Sequence, residues 1–172
     1  EHLPRHLCGL SRDGHFDGVA LVVLKLFNIC QPDSAVFGMK DYQQVRVIEK
    51  LVEDLALPIR IVRHATVREA DGLALSSRNA YLTPEERIQA PVLQSTLKGM
   101  ADGIRTGQRD VQALLAVGRA ALTASGFEVE YLAACDPATL DDVAVVSGAV
   151  LLAVAAKLGK TRLIDNLLVP VE

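Results

Sequence analysis

The sequence predicts an α/β fold in two parts: the remnant of a parallel-sheet domain, followed by a small α+β domain with two helices and an antiparallel sheet. Residues 34–62 follow the order strand, turn, helix, strand, which is typical of the units of a parallel sheet. Residues 65–79 then lose apolar periodicity, and residues 127–169 contain three apolar, β-branched runs separated by turn signals. We therefore predict two domains, 1–65 and 66–172.

Bulk composition narrows the classes of function. Of the 172 residues 50% are apolar, enough to fill a core, and the net charge of -3 with interspersed charges gives no basic stripe for a nucleic acid. The apolar runs 19–30 and 149–158 are shorter than the roughly 20 residues of a membrane span. Cys8, Cys30 and Cys135 lie among apolar residues, which favours reduced core thiols of a cytoplasmic protein over disulfides. We expect neither a nucleic-acid nor a membrane partner.

The predicted parallel-sheet part begins with a buried helix over residues 17–31, which Pro32 ends. A strand over residues 34–38 follows, and Asp41 then stands at the N-cap position of a second helix. Residues 59–62 indicate another buried strand. Because a parallel sheet normally has more strands and two covered faces, we expect its other strands on a preceding segment or on another chain.

The second part is predicted to open with a long helix. Thr83 is a suitable N-cap, a proline follows at the first helical position, and Glu86 completes a capping box, so the helix should run to about Arg105. Asp110 opens a second helix, and Gly126 closes it. Three antiparallel strands are then expected over residues 127–134, 149–156 and 163–169.

The first candidate site lies at the carboxyl end of the first predicted strand, in Gly38-Met39-Lys40-Asp41. Open α/β sheets bind ligands at this edge. Gly38 would let a ligand approach the backbone, Lys40 would supply charge for a phosphate, and Asp41 would accept hydrogen bonds from a ribose. The structural alternative is that Asp41 only caps the helix and Lys40 is a solvated turn residue. The spacing alone leaves both interpretations open.

The second candidate site is residues 68–79, where two serines and an arginine follow a glycine-containing polar loop. Ser76, Ser77 and Arg78 carry donors suited to polyphosphate oxygens, and Arg78 would stabilise charge that grows on a leaving pyrophosphate. Gly72 would be the most flexible point of a loop that closes over the site. The structural alternative is an interdomain linker in which the serines form a turn and Arg78 pairs with a nearby acid.

Both motifs are long, and they lie in the order and at the spacing found in a known enzyme family. They are Phe37-Gly38-x-Lys40-Asp41-Tyr42-Gln43-Gln44 and Thr66-Val67-Arg68-Glu69-Ala70-Asp71-Gly72-Leu73-Ala74-x-Ser76-Ser77-Arg78-Asn79. Two earlier runs match as well, Gly14-His15-Phe16-x-Gly18-Val19 and Lys25-Leu26-Phe27-Asn28. On these residues the chain resembles pantothenate synthetase (pantoate–β-alanine ligase) over nearly its whole length. The resemblance implies the carboxyl-terminal part of a Rossmann-like nucleotidyltransferase domain, then a small domain that begins with a phosphate-binding loop.

The resemblance also implies an activity in the biosynthesis of coenzyme A precursors. Pantoate and ATP would give pantoyl adenylate and pyrophosphate, and β-alanine would then attack the mixed anhydride to give pantothenate and AMP. Mg²⁺ would accompany ATP as a substrate complex, with no metal held by side chains and no tightly bound cofactor. The family is cytoplasmic, and its members are commonly homodimers, so the resemblance implies a homodimer here.

Carried over residue by residue, the resemblance implies an ATP site, a catalytic set and one pantoate contact. The ATP-binding residues would be Gly38, Met39, Lys40, Asp41, Val67, Leu75, Ser76, Ser77 and Arg78. The catalytic residues would be Lys40, Ser76, Ser77 and Arg78. Gln44 would bind pantoate, Val67 would offer its backbone to adenine, and residues 75–78 would clamp the phosphates as does the mobile signature of class I aminoacyl-tRNA synthetases. His15 matches a position near the substrates, although a histidine after glycine is also a common structural residue.

The sequence departs from the family pattern in lacking a match to the amino-terminal histidine signature and to the upstream glutamine that grips pantoate. Met39, Ala65 and Leu75 are lesser departures. We therefore expect a carboxyl-terminal part of such an enzyme without its amino-terminal portion. It should be a poor catalyst alone, because half of a phosphate clamp stabilises only part of the transition-state charge.

Two alternatives of other classes stay open. The first is a non-catalytic module that binds nucleotide or associates with itself, since apolar elements without covering strands favour association. The second is a fragment of another adenylate-forming nucleotidyltransferase, such as an aminoacyl-tRNA synthetase, which would need a basic face for tRNA.

Overall fold

The computed structural model describes residues 2–12 and 14–170, and for residues 10 and 11 it describes the backbone only. The chain forms two compact units, unit 1 (Glu1–Thr66) and unit 2 (Val67–Glu172). Within the described part, no helix has both the length and the apolar character that crossing a bilayer requires.

Among its described residues, unit 1 contains three α-helices and a two-stranded parallel sheet. The elements are α1 (Cys8–Ser11), α2 (His15–Cys30), β1 (Ser34–Gly38), α3 (Tyr42–Asp54) and β2 (Arg60–His64). The strands pair in parallel, with Gly38 at the end of β1 opposite His64 at the end of β2. The predicted order of strand, turn, helix and strand is therefore confirmed.

Helix α2 is less buried than predicted. It packs against α3 and buries Phe16 and Phe27. The apolar residues of its other side stay exposed, as does the middle of β1; these are Leu21, Val22, Leu26, Ile29 and Val36, each more than half exposed. The apolar pattern was sufficient to predict the helix itself. Among the described residues of unit 1, however, no element covers the exposed side of α2.

Unit 2 consists of helices followed by an antiparallel sheet. After a 3-10 helix (Ser77–Tyr81), the elements are α4 (Pro84–Gln89), α5 (Val92–Arg105), α6 (Val111–Ala124), β3 (Phe127–Cys135), β4 (Val150–Leu158) and β5 (Thr161–Val169). The strand order is β3-β4-β5, and both pairings are antiparallel. The predicted antiparallel sheet is confirmed.

A single hydrophobic core holds unit 2 together. Helix α6 packs on β3, and α5 packs on β4 and β5, so the helices cover one face of the sheet. Strand β4 lies in the middle and is buried along nearly its whole length. Large side chains at the centre of this core include Leu93, Leu97, Ile104, Leu122, Leu152 and Val154. Full burial of each such side chain contributes roughly 1.5–3 kcal/mol.

The long helix predicted for unit 2 is two helices, so the unit has three helices instead of two. Helix α4 ends at Gln89, and α5 starts after Pro91. Pro91 has no N–H to donate to the carbonyl four residues earlier, and its ring crowds that carbonyl, so the helix is interrupted there. The predicted capping box is present: Thr83 Oγ1 accepts the Glu86 N–H over 3.2 Å, and the Thr83 N–H donates to Glu86 Oε2 over 2.9 Å.

The three cysteines have different surroundings, and all are free thiols. Cys135 is buried at the end of β3, Cys8 is half-buried and Cys30 is exposed, so the prediction of core thiols is right for Cys135 alone. Burial, followed by the neighbouring Asp142 carboxylate, raises the pKa of the Cys135 thiol to about 12. Its Sγ donates weakly to Asp142 Oδ1 over 3.7 Å.

Candidate functional site

The first motif occupies the carboxyl end of β1 and the start of α3. Gly38 ends the strand, and Met39–Asp41 form one turn of 3-10 helix before α3 begins. Gly38 has an extended backbone, and no atom lies within 4 Å of the place where a Cβ would stand. Neither the backbone conformation nor the packing of the described residues requires glycine there, and the space beside it is open. Lys40 is half-buried and Asp41 is exposed.

Asp41 stands at the N-cap position of α3, as predicted, but its side chain makes no capping hydrogen bond. The structural alternative, in which Asp41 only caps the helix, would require that hydrogen bond. In unit 1 the carboxylate is exposed instead, and it is available to accept hydrogen bonds from hydroxyl groups.

Gln43 and Gln44 follow one another at the start of α3 but have different roles. Gln43 is buried, and its amide is used within unit 1: Oε1 accepts the Cys8 N–H over 3.1 Å, and Nε2 donates to the carbonyls of Leu3 and His6 over 2.9 and 2.6 Å. Gln44 is half-buried. Gln43 therefore anchors the amino-terminal segment. The pantoate contact that the resemblance implies belongs to Gln44, the next residue of α3.

The second motif begins with a tight hairpin over residues 67–75. The Leu75 N–H donates to the Val67 carbonyl and the Glu69 N–H to the Leu73 carbonyl, both over 2.9 Å. Gly72 turns the chain with φ +95°, and a Cβ on it would lie 2.2 Å from Gln94 Oε1. In this conformation Gly72, which we predict to be the most flexible point of the loop, is closely packed. It is a packed turn residue that only glycine can occupy without displacing Gln94.

A buried ion pair holds the base of this hairpin. Arg68 Nη1 and Nη2 donate to the two carboxylate oxygens of Asp165 over 2.6 and 2.9 Å, and Nη1 also donates to the Gly72 carbonyl over 3.0 Å. The Asp165 side chain, on β5, is only 2% exposed. Sequence reasoning missed Asp165 because it lies 97 residues away. A carboxylate within an apolar strand was the one signal that could have drawn attention to it.

The tip of the hairpin is bound to α4. Arg87 donates to Asp71 and to Glu69, and Asn79 Nδ2 donates to the other oxygen of Glu69 over 2.8 Å. The hydrogen bond from Arg87, followed by the one from Asn79, lowers the pKa of Glu69. The hydrogen bond from Arg87, followed by the Leu73 backbone N–H, lowers the pKa of Asp71. Both carboxylates are thus charged and occupied within unit 2.

Residues 75–78 comprise the last residue of this hairpin and the three that follow it, and they are largely exposed. Ser76 Oγ accepts the Arg78 N–H over 3.2 Å and so caps the 3-10 helix. Leu75, Ser77 and Arg78 are exposed. The Arg78 guanidinium forms no ion pair within the described part of the chain, which contrasts with the linker interpretation, where Arg78 pairs with an acid.

The candidate residues therefore form two clusters. Gly38, Met39, Lys40, Asp41 and Gln44 lie at the end of β1 and the start of α3 in unit 1. Val67, Leu75, Ser76, Ser77 and Arg78 lie at the open end of the hairpin and on the 3-10 helix of unit 2.

His15 belongs to neither cluster. It is half-buried at the first position of α2, its ring lies 4.9 Å from that of Phe16, and it lines a polar cleft of about 340 Å³ together with Arg5 and Arg12. Its position at the start of α2 fits a structural residue as well as one that lies near the substrates.

Known proteins match this chain over almost its whole length. The family model described as pantoate-beta-alanine ligase matches residues 1–168. The pantothenate synthetase of Pseudomonas entomophila is 55% identical over 170 residues, which are 99% of this chain and 59% of that protein. The pantothenate synthetase of Desulfatibacillum aliphaticivorans is 52% identical over 167 residues, again covering 59% of the relative.

Solved structures agree with this match. Pantothenate synthetase from Thermus thermophilus superposes with a TM-score of 0.92 at 45% identity, covering 97% of this chain and 60% of that one. The pantoate-beta-alanine ligase from Francisella tularensis was solved in complex with beta-gamma ATP and beta-alanine. It superposes with a TM-score of 0.71 at 32% identity, and the match covers 98% of this chain and 56% of the Francisella chain. The match favours this family over an aminoacyl-tRNA synthetase. The chain belongs to the pantoate–β-alanine ligase family and spans about 59% of the length of the curated members that it matches.

Proposed function

We propose that this chain supplies the nucleotide- and pantoate-binding part of an ATP-dependent pantoate–β-alanine ligase. In the first step the pantoate carboxylate would attack the α-phosphorus of Mg·ATP, and pyrophosphate would leave. In the second step the amine of β-alanine would attack the acyl carbon, and AMP would leave with the electron pair of the broken bond. Family membership supports the reaction, and a relative solved in complex with beta-gamma ATP and beta-alanine supports the substrates.

The unit 1 cluster would hold the nucleotide and pantoate. Gly38 and Met39 would lie along the nucleotide, the Lys40 ammonium would contact a phosphate, and the Asp41 carboxylate would accept ribose hydroxyls. Gln44 would hydrogen-bond pantoate. The open space beside Gly38 and the exposed carboxylate of Asp41 support these assignments.

The unit 2 cluster would bind adenine and phosphates. Val67 would offer its backbone to adenine; its carbonyl already accepts the Leu75 N–H, so its N–H or the second lone pair of the carbonyl would make that contact. Ser76, Ser77 and Arg78, together with Lys40, would stabilise the charge that grows as pyrophosphate departs.

One observation carries the proposal most directly: the Arg78 guanidinium is exposed and unpaired within the described residues, while Arg68 and Arg87 beside it are both committed to carboxylates. An arginine presented in this way on a braced segment is suited to an anion that arrives from solution. Because Arg68 and Arg87 hold the hairpin through their carboxylate partners, we expect the segment to keep its position when Arg78 is replaced.

Titration of the chain with Mg·ATP, followed by calorimetry, tests this assignment. Arg78→Ala should weaken Mg·ATP binding by about tenfold or more, because a charged hydrogen bond to phosphate contributes roughly 1.5–3 kcal/mol. Arg119→Ala, which removes the same charge from an exposed position on α6, is the matched control and should leave binding unchanged. Equal affinity of the Arg78 variant and the wild type would reject the phosphate contact.

A second candidate function is self-association, and the uncovered apolar side of unit 1 favours it. Leu21, Val22, Leu26, Ile29 and Val36 are each more than half exposed. Sedimentation velocity should then show dimers or larger species that Ile29→Ser weakens and Val117→Ser, an equally exposed change on α6, does not. A monomer at micromolar concentration would exclude this function.

A further inference from the structure

Arg87 lies on α4, outside both sequence motifs, yet its guanidinium bridges two carboxylates of the hairpin tip. Nη1 donates to Asp71 Oδ2 over 2.5 Å, and Nη2 donates to Glu69 Oε2 over 2.6 Å. Helix α4 is itself held at its start by the capping box of Thr83 and Glu86. One planar side chain on a capped helix therefore fixes the direction of two acids on the hairpin.

Glu69 passes this constraint on to the 3-10 helix. Its second oxygen accepts Asn79 Nδ2 over 2.8 Å, and the same Nδ2 donates to the Ala74 carbonyl over 3.2 Å. The Asn79 backbone N–H donates to the Ser76 carbonyl over 3.1 Å. Asn79 is thus tied to the hairpin on one side and to the serine that caps the 3-10 helix on the other. A continuous set of hydrogen bonds leads from Arg87 to the residue next to Arg78.

The base of the hairpin has its own support, which does not involve Arg87. The Arg68–Asp165 pair and the backbone hydrogen bond from Leu75 to Val67 hold it. Removal of the Arg87 guanidinium should therefore leave the fold of unit 2 intact and release only the tip and the 3-10 helix. This distinguishes a local positioning role from a general contribution to stability.

We propose that Arg87 is a positioning residue for phosphate binding, which acts through Glu69 and Asn79 to hold the 3-10 helix that presents Ser77 and Arg78. This inference rests on the proposed function of residues 75–78. Arg87 would not touch the substrate, because its guanidinium is occupied by the two carboxylates. Lysine would not replace it fully, since one ammonium lacks the planar fork that meets both acids.

Amide hydrogen exchange on the full chain, measured by NMR, tests the positioning itself. In Arg87→Gln, the amides of Arg78 and Asn79 should exchange at least about tenfold faster, while the amides of β4 keep their wild-type rates. Arg87→Lys should give an intermediate effect. Arg105→Gln is the matched control, since Arg105 pairs with Asp102, three residues earlier on the surface of α5. Unchanged exchange at Arg78 and Asn79, or an equal acceleration throughout unit 2, would overturn the inference.

Mg·ATP titration of the same variants tests the link to phosphate binding. Arg87→Gln should weaken binding about tenfold, Arg87→Lys should restore part of the affinity, and the control should bind as the wild type. Faster local exchange with unchanged Mg·ATP affinity would also overturn the inference. If the wild type binds no Mg·ATP, the proposed function fails, and the positioning role in phosphate binding fails with it; the exchange data then show whether Arg87 still orders the 3-10 helix.

Discussion

Neighbouring residues of the two motifs differ in whether the fold already uses them. Gln43, Arg68 and Glu69 are committed to hydrogen bonds within their own units. Among the residues that the structure describes, Asp41 makes no capping hydrogen bond and Arg78 forms no ion pair, and both are exposed. Each motif thus contains residues that hold the fold together and residues whose side chains are exposed, a difference that residue type and order do not reveal.

The two carboxylates of the hairpin tip should titrate at lower pH than ordinary side chains. Arg87 lowers the pKa of Glu69 and of Asp71, so the stabilisation that they provide is complete above their unfolded values of about 4 and is lost as the pH falls through the lowered folded values. Carbon-detected NMR titration should show both shifts, and Arg87→Gln should raise both pKa values toward ordinary ones.

Asp136 provides an internal reference for that titration. The backbone N–H groups of Thr139 and Ala138 lower its pKa, and Arg87 does not contribute to it. Its midpoint should therefore be the same in the wild type and in Arg87→Gln. If Glu69 and Asp71 titrated alike in the two proteins, the ion pairs would not be populated in solution.

Only some of the residues that form or support the candidate site could be recognised from the sequence. The donors at Ser76, Ser77 and Arg78 and the carboxylate of Asp41 were apparent from residue type and order. Asp165 and Arg87 were not, because their contacts depend on long-range packing that local spacing does not encode. The roles assigned to the candidate site residues remain predictions.

Features fixed by residues close in sequence were predicted well apart from one helix break, and features fixed by tertiary contacts were not. The capping box at Thr83 and the cap at Asp110 follow from neighbouring residues and are present as expected. The break at Pro91 was overlooked although proline signals it. The turn at Gly72 packs against Gln94, a residue outside the loop, so the composition of the loop could not reveal this contact.

The turn between β4 and β5 is linked to the start of α4. Gly159 has φ +56°, and a Cβ on it would lie 1.8 Å from Glu86 Oε1 of the capping box. Gly159→Ala should lower the free energy of unfolding by about 2 kcal/mol, since it combines left-handed strain with loss of part of the cap. Urea unfolding measures this change. Gly148→Ala, with no atom within 4 Å of its new Cβ, is the control. Equal stability of the two variants would contradict the contact.

The two units differ in how completely they bury their apolar residues. The core of unit 2 is built entirely from residues between Leu73 and Val169. Unit 1 has two strands and leaves one side of α2 exposed among the described residues. The fold class was predictable at this level because residues 34–62 follow the order strand, turn, helix, strand, and residues 127–169 contain three apolar runs separated by turn signals.

Unit 2 should therefore fold when it is produced alone. Residues 67–172 should unfold in one cooperative urea transition, because the whole buried cluster is retained. Residues 1–66 alone should bind a hydrophobic dye and associate, owing to the exposed side of α2. A gradual, non-cooperative transition of the 67–172 fragment would show that its core depends on unit 1.

Pantothenate formation tests the central claim most directly, with this chain assayed alone and together with the part of the Pseudomonas entomophila relative that it does not match. We expect little turnover from the chain alone with Mg·ATP, pantoate and β-alanine, because it matches only 59% of that relative. Addition of the unmatched part of the relative should produce pantothenate, and Arg78→Ala should reduce that rate by about 100-fold or more. Full turnover by the chain alone, or none with the added part, would contradict the account.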